Sequence, residues 1–268
     1  MSYLPFIKET IEHAGEIARS YFGNVSSETK PEDNNQVLTE ADIAIGEYIV
    51  ERIQSVYPEH NIIDEEAGVI NNGSNVTRVV DPIDGTSNFA AATPLYGCMI
   101  GVLQDDQPVA GGVVLPSLNE VYLAESGAEA TRNGVKISVS GRDKLSDMLI
   151  SYGIDGYADN PERTRQEARL IGEIALKIRN LRTSNSVFDL MTTANGSYGA
   201  FLNQTSKIWD NVAPQIIIQE AGGIYTDFYG NPIDYSNAIA RVDQNFTVCA
   251  ASPAAHAGLQ TLIRAHNN

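Results

Sequence analysis

Residues 78–89 read Arg78-Val79-Val80-Asp81-Pro82-Ile83-Asp84-Gly85-Thr86-Ser87-Asn88-Phe89. An apolar run delivers Asp81 at its end. Pro82 fixes its own φ and biases Asp81 toward an extended backbone. Gly85 permits a sharp turn. Two carboxylates three residues apart around a rigid bend can converge on one cation, and hard divalent cations take such oxygen ligands. Thr86-Ser87-Asn88 follows as a cap and opening for a helix, whose free N–H groups suit an anion. One short segment therefore offers a metal cradle beside a phosphate cradle. A lone Asp-x-x-Asp reads as a solvated turn; the longer Asp-Pro-Ile-Asp-Gly-Thr carries more order than a turn needs.

Three further acidic segments flank it in sequence. Ile62-Ile63-Asp64-Glu65-Glu66-Ala67-Gly68 ends an apolar run in three adjacent acids, which repel unless water or a metal offsets them. Ile208-Trp209-Asp210-Asn211 leads into an apolar helix closed by Gly222-Gly223; taken alone, Asp210 is a helix cap. Val37-Leu38-Thr39-Glu40-Ala41-Asp42 likewise opens a helix, and capping alone accounts for Asp42. None of the four histidines (13, 60, 256, 266) lies in these segments. A histidine base is therefore disfavoured, and metal-activated water is the natural substitute.

Apolar periodicity places the segments on a scaffold. Residues 4–22 and 42–57 carry helical spacing, with a polar loop over 24–36 between them. Short apolar runs at 61–64 and 77–81 read as strands. Residues 95–104, 107–115 and 120–125 read as a meander with polar turns. Strands are expected over 144–151, 224–226 and 246–250, and helices over 161–180, 186–193, 212–221 and 254–265. Helices flanking strand runs predict a layered α/β protein. Two lobes, 1–143 and 144–268, are expected.

Composition narrows the function. Thirty-four acidic against 18 basic residues give a formal net charge of −16, which argues against a nucleic-acid partner and against docking on an anionic membrane. Two distant cysteines make neither a disulfide framework nor a zinc set. The N-terminal residues lack a secretory pattern, and no apolar run is long enough to span a bilayer. A cytoplasmic setting is the expectation.

In that order, Thr39–Asp42, Asp64–Glu66, Asp81–Phe89 and Trp209–Gly223, these segments resemble the inositol monophosphatase family of lithium-sensitive, Mg²⁺-dependent phosphatases. The resemblance covers nearly the whole chain. It implies a five-layer αβαβα sandwich, shared with fructose bisphosphatases, and hydrolysis of a small phosphate monoester, inositol 1-phosphate being the reference substrate. It implies two or three Mg²⁺ ions: the first on Glu65, Asp81 and the Ile83 carbonyl, the second on Asp81, Asp84 and Asp210, and a third, weaker one near Glu65. Thr86, partnered by Asp42, would orient the attacking water. Asp84, Gly85, Thr86, Ser87, Ser186, Asn203 and Asp210 would contact substrate. A small phosphorylated metabolite and a second copy of the chain, as a homodimer, are the implied partners.

Two departures fall on the alcohol side of the site. Asn203, seven residues before Asp210, stands where the family carries a substrate-reading glutamate. Ser184-Asn185-Ser186 stands where the family carries Gly-Ser/Thr-Ala. Sibling activities on histidinol phosphate, fructose 1,6-bisphosphate or a 3′-phosphoadenosine nucleotide therefore remain open, with Arg179 and Arg182 as candidates for a second phosphate. A catalytically silent metal-binding or interaction protein on the same scaffold is the reading from another class.

Overall fold

The computed structural model describes residues 2–29 and 37–266. Helix α1 (Leu4–Tyr21) buries Ile7, Ile11, Ala14 and Ala18, one stripe at helical spacing. Strand β1 (Ser27–Thr29) pairs antiparallel with β2 (Val37–Thr39). The expected loop over 24–36 thus contains a strand at its start, and residues 30–36 lie outside the described residues. Helix α2 (Glu40–Val56) opens on a capping box between Thr39 and Asp42.

The first large sheet follows. It takes β3 (Asn61–Asp64), β4 (Gly68–Ile70) and β5 (Val76–Asp84). After the one-turn helix α3 (Thr86–Ala90) come β6 (Gly97–Gln104), β7 (Gln107–Leu115) and β8 (Glu120–Glu125). The hairpin of β9 (Thr131–Arg132) and β10 (Val135–Lys136) ends it, turning at Asn133 and Gly134 with both φ positive. The strand order is β10-β9-β8-β7-β6-β5-β3-β4.

The second sheet begins with β11 (Leu149–Gly153), followed by α4 (Pro161–Ala175) and β12 (Asn180–Arg182). Then come α5 (Val187–Ala194), β13 (Ala200–Ser206), α6 (Val212–Glu220), β14 (Ile224–Thr226), β15 (Phe246–Ala251) and α7 (Pro253–His266). Its order is β12-β11-β13-β15-β14.

Three buried clusters define the layers. Helices α1 and α2 cover one face of the first sheet through Ile7, Ile45, Ile49, Val80 and Ile100. Its other face, with Met99, Val113 and Tyr122, meets α5 and α6, whose Met191 and Ile217 also reach Phe201 and Val248 of the second sheet. On the far side, Ile150, Leu202 and Cys249 pack under α4 and α7 through Ile174, Leu259 and Ile263. The result is the expected αβαβα sandwich.

Close approach of α6 to the first sheet depends on missing side chains. A Cβ at Gly101 would lie 2.6 Å from Val212 Cγ1 and 2.8 Å from the Ala213 nitrogen. Gly101→Val should therefore destabilise the fold by roughly 1–3 kcal/mol through overpacking. A chemical-denaturation midpoint equal to the parent's would contradict this packing.

Several element boundaries differ from the periodicity reading. Strand β5 does not stop at Asp81 but runs on through Pro82 to Asp84. A short 3-10 turn, Leu145–Asp147, precedes β11, so that strand starts five residues later than expected. Helix α4 ends at Ala175, because the chain turns to begin β12 at Asn180. Ile178 is buried, and its burial outside the helix mimicked one more helical turn. Strand β13 had no sequence signal: Asn203, Gln204 and Thr205 occupy its second half.

Candidate active site

The spacing of Asp81 and Asp84 poses a geometric problem. In a regular strand, residues three apart point to opposite faces. Here Asp81 pairs with Met99 and Asp84 with Gly97, so β5 uses one residue more than β6 across this stretch. This β-bulge, with Pro82 inside it, resets the alternation. Asp210, from the turn after β13, completes the set. One carboxylate oxygen from each of Asp81, Asp84 and Asp210 lies within 4.8 Å of the others.

Each carboxylate is held differently. Asp84 accepts a hydrogen bond from the backbone N–H of Val187 at the start of α5. Asp210 Oδ2 accepts from the Lys207 N–H at 2.6 Å. That bond stays within a turn, and the residue at the helix cap is Asn211, so Asp210 is not a helix cap. Asn211 is fully buried. Its Nδ2 donates to Ser206 Oγ at 3.0 Å and to the Lys207 carbonyl, while Tyr225 donates to its Oδ1 at 2.9 Å. This side-chain network closes the turn that carries Asp210.

The buried Oδ1 of Asp81 has no hydrogen-bond partner among the described residues. An ionised oxygen in that state is costly unless a cation meets it. Burial pushes Asp81 well above the usual carboxylate range, and the charges of Glu65 and Asp84 push the same way. Asp84 is raised well above that range by burial and by Asp210. Burial raises Asp210 to about 6 against the opposing Lys207 N–H.

Glu65 stands beside this cluster just after β3, its backbone N–H bonded to the Val80 carbonyl at 3.3 Å. Asp64 faces away from it: Asp64 Oδ1 accepts from the N–H groups of Glu66 and Ala67 at 2.9 and 2.7 Å, capping the turn. The buried Asp64 is thus a turn former.

Asp42 serves two partners. Its Oδ2 accepts from the Thr39 N–H at 2.8 Å, completing the capping box. Its Oδ1 lies 3.3 Å from Thr86 Oγ1, which also reaches the Ile83 carbonyl at 2.8 Å. Burial raises Asp42 to about 6, opposed by the bonds from Thr39. Gly85, not a side-chain cap, starts α3; its φ is 84°. A Cβ there would fall 2.8 Å from Ser186 Cβ and 3.0 Å from the Leu95 carbonyl. Asn88 Nδ2 donates to the carbonyls of Leu95 and Ser184, both at 2.9 Å, tying α3 to the second half of the chain.

These groups line one open cavity of about 510 Å³, together with Ser87, Ser186 and Asn203. Every side chain expected at the site except Asp42 therefore lines the cavity, and Asp42 touches it through Thr86. Ser186 is buried and its Oγ has no hydrogen-bond partner among the described residues. Asn203 is engaged at both ends of its amide: Nδ2 donates to Asn185 Oδ1 at 3.0 Å, and Oδ1 accepts from the Thr205 N–H. Sequence reasoning missed Asp155, Thr205 and Lys207, which also line the cavity. None sits in a motif; each comes from a strand end or a turn. Arg179 and Arg182 are absent from the wall: Arg179 faces Asp147 at 3.9 Å, and Arg182 bonds Asn180 and the Leu181 carbonyl.

The charge balance of the cavity is one-sided. Among the described residues, Glu65, Asp81, Asp84, Asp155 and Asp210 face a single basic side chain, Lys207. Such a cavity repels a phosphate dianion unless cations fill it first. The orphaned Asp81 oxygen and the all-oxygen donor set fit a hard divalent ion.

The chain is similar to known proteins over nearly its whole length. Residues 2–267 match the inositol monophosphatase family. The chain is 28% identical over 244 residues to a fructose-1,6-bisphosphatase/inositol-1-monophosphatase of Aquifex aeolicus, covering 89% of this chain and 90% of that one. It is 34% identical over 206 residues to the Nus factor SuhB of Pseudomonas aeruginosa, covering 74% and 75%. The solved structure of an IMPase from Thermotoga maritima superposes with a TM-score of 0.86 at 26% identity, covering 100% of this chain and 98% of that one.

Proposed function

The chain belongs to the inositol monophosphatase family and is a phosphoric monoester hydrolase, and on that premise we propose that it hydrolyses a small phosphate monoester using two Mg²⁺ ions. The observation that carries this reading is the meeting of Asp81, Asp84 and Asp210 within 4.8 Å in an acidic cavity. Glu65, Asp81 and the Ile83 carbonyl would hold one ion, and Asp81, Asp84 and Asp210 the other, with Glu65 beside any third. The Ile83 carbonyl has two lone pairs, so the bond from Thr86 leaves one available. Bound Mg²⁺ supplies Lewis acidity, acidifying water and offsetting phosphate charge.

The chain's own groups do the positioning. The hydrogen of Thr86 Oγ1 is directed at Ile83 and Asp42. Its lone pairs therefore face outward, where they would accept a hydrogen bond from the attacking water and turn the water oxygen toward phosphorus. The N–H groups of Gly85, Thr86 and Ser87 suit the phosphate oxygens. Thr86→Val should lower kcat/KM by about 10²-fold while Mg²⁺ affinity, followed by calorimetry, stays near the parent's. Unchanged turnover in that variant would remove Thr86 from the mechanism.

The direct test is phosphate release from a panel of monoesters with and without Mg²⁺. Absence of release from every ester by folded, Mg²⁺-loaded protein would overturn the enzymatic reading. It would favour the alternative, an interaction role, to which the relatives named Nus factor lend weight. Among sibling substrates, fructose 1,6-bisphosphate loses support because Arg179 and Arg182 stand off the cavity. Lobes of 1–143 and 144–268, a cytoplasmic homodimer and inhibition by lithium belong to the same proposal. In its support, β10 closes one sheet and β11 opens the other. Among the described residues no helix is long and apolar enough to cross a membrane.

A further inference from the structure

The alcohol side of the cavity is built from the ends of β11 and β13 and the turns beside them. Three polar side chains form a chain there. Asn203 Nδ2 donates to Asn185 Oδ1 at 3.0 Å, and Asn185 Nδ2 donates to Asp155 Oδ1 at 3.1 Å. With its Oδ1 also accepting from the Thr205 N–H, Asn203 is anchored within the protein and serves to fix Asn185. Gly153 makes room for the pair: a Cβ there would lie 2.2 Å from Asn185 Oδ1 and 2.6 Å from Asn203 Nδ2. Asn185 itself has a φ of 54°, a conformation that asparagine tolerates. The strained turn and the missing Cβ both serve to aim one amide at Asp155.

Among the described residues, two charged groups border this side of the cavity, Asp155 and Lys207. Lys207 Nζ donates to the Asp243 carbonyl at 2.7 Å, at the exposed rim. Arg163 is turned away: its guanidinium lies 3.9 Å over the Tyr157 ring and bonds the Gln204 carbonyl. Tyr157 in turn bonds Thr205, pinning the turn that carries Asp155 against β13. The held carboxylate of Asp155 is thus, among the described residues, a negative charge that an alcohol group meets on leaving the phosphate end. An ionised carboxylate only accepts hydrogen bonds, and it repels a second anion.

We propose that Asp155, aimed by Asn185, reads the alcohol part of the substrate and selects leaving groups that present hydrogen-bond donors, hydroxyls or an ammonium, over those that carry a second phosphate or a carboxylate. The acceptor charge is thereby supplied from the turn after β11 instead of from position 203. This inference rests on the phosphatase reading and names the substrate class of the same site.

The experiment compares kcat/KM of the Mg²⁺-loaded protein for four monoesters: ethanolamine phosphate, glycerol 2-phosphate, 3-phosphoglycerate and fructose 1,6-bisphosphate. The parent should prefer the first two. Asp155→Asn should reduce the preference for ethanolamine phosphate over 3-phosphoglycerate by about tenfold, as for one charge-assisted hydrogen bond, and Asp155→Lys should invert it. Comparing the fall for ethanolamine phosphate with that for glycerol 2-phosphate separates ammonium from hydroxyl recognition. Asn185→Gly keeps the left-handed backbone and removes only the aiming amide, so it should shift the ratio the same way by less. Substrate ratios identical to the parent's in both Asp155 variants would overturn the inference while leaving the phosphatase standing. No turnover of any ester by the parent would instead overturn the phosphatase reading itself.

Discussion

Asp84→Asn should lower kcat/KM by on the order of 10³-fold or more, equivalent to about 4 kcal/mol of transition-state stabilisation, while the fold survives. The expectation follows from what Asp84 does on each side. Toward the cavity it is one of three carboxylates that converge on one point. Toward the protein, its Oδ1 accepts from the Val187 N–H, a bond the asparagine carbonyl can still accept. Neutralising it also relieves repulsion from Asp210 and Glu65, both of which raise the Asp84 pKa. The metal-free variant should therefore melt at or above the parent's temperature. Calorimetric Mg²⁺ titration would show a weakened site. Near-normal turnover in a variant with weakened Mg²⁺ binding would refute the two-metal assignment.

The second large effect concerns pH and metal together. Asp42, Asp81, Asp84 and Asp210 all have folded-state pKa values above the ordinary value of 3.8, two of them raised to about 6. A raised carboxylate binds its proton more tightly folded than unfolded, so the stability of the metal-free protein must fall as pH rises from about 4 through 6. Asp81 and Asp84 contribute with the same sign. Mg²⁺ binds the ionised carboxylates and reverses this. At 100 times its dissociation constant it adds about 2.7 kcal/mol, or very roughly 5–10 °C in Tm for a chain of this size. The shift should be larger at pH 8 than at pH 5, where protons compete for the same oxygens. Thermal melts with Mg²⁺ or with a chelator at both pH values check this. An equal Mg²⁺ shift at both would mean that these carboxylates do not form the cation site.

How much of this was legible in the sequence depended on range. Asp81, Pro82, Asp84, Gly85 and Thr86 lie within six residues, and their chemistry could be read locally. The bulge that turns Asp81 and Asp84 to one side is set by register with Met99 and Gly97, which no local pattern reveals. Asp210 resembled a helix cap because Asn211 and Val212 open α6 next to it. Only the Lys207 N–H and the buried Asn211–Tyr225 pair show that it belongs to a turn. Asn203 aligned with a substrate-reading position, yet its amide also bonds Asn185 and Thr205 within the protein. Asp155 had no motif at all; the fold brings it to the cavity across the β11–β13 pairing. The helices were the clearest elements because α1 and α2 each bury one stripe. Strand β13 was invisible because its polar half serves the site instead of the core.

The bonds from Asn88 to Ser184 and from Val187 to Asp84 join segments about a hundred residues apart. During translation, the ribosome delivers the Asp-Pro-Ile-Asp-Gly-Thr segment long before Asp210 and α5 emerge. The nascent chain then carries a cluster of negative charge that still lacks the Asp210 carboxylate. On the proposed ligand set, hydrolytic competence would arrive only with the last third of the polypeptide, and a product truncated before Asp210 would be chemically silent toward phosphate esters.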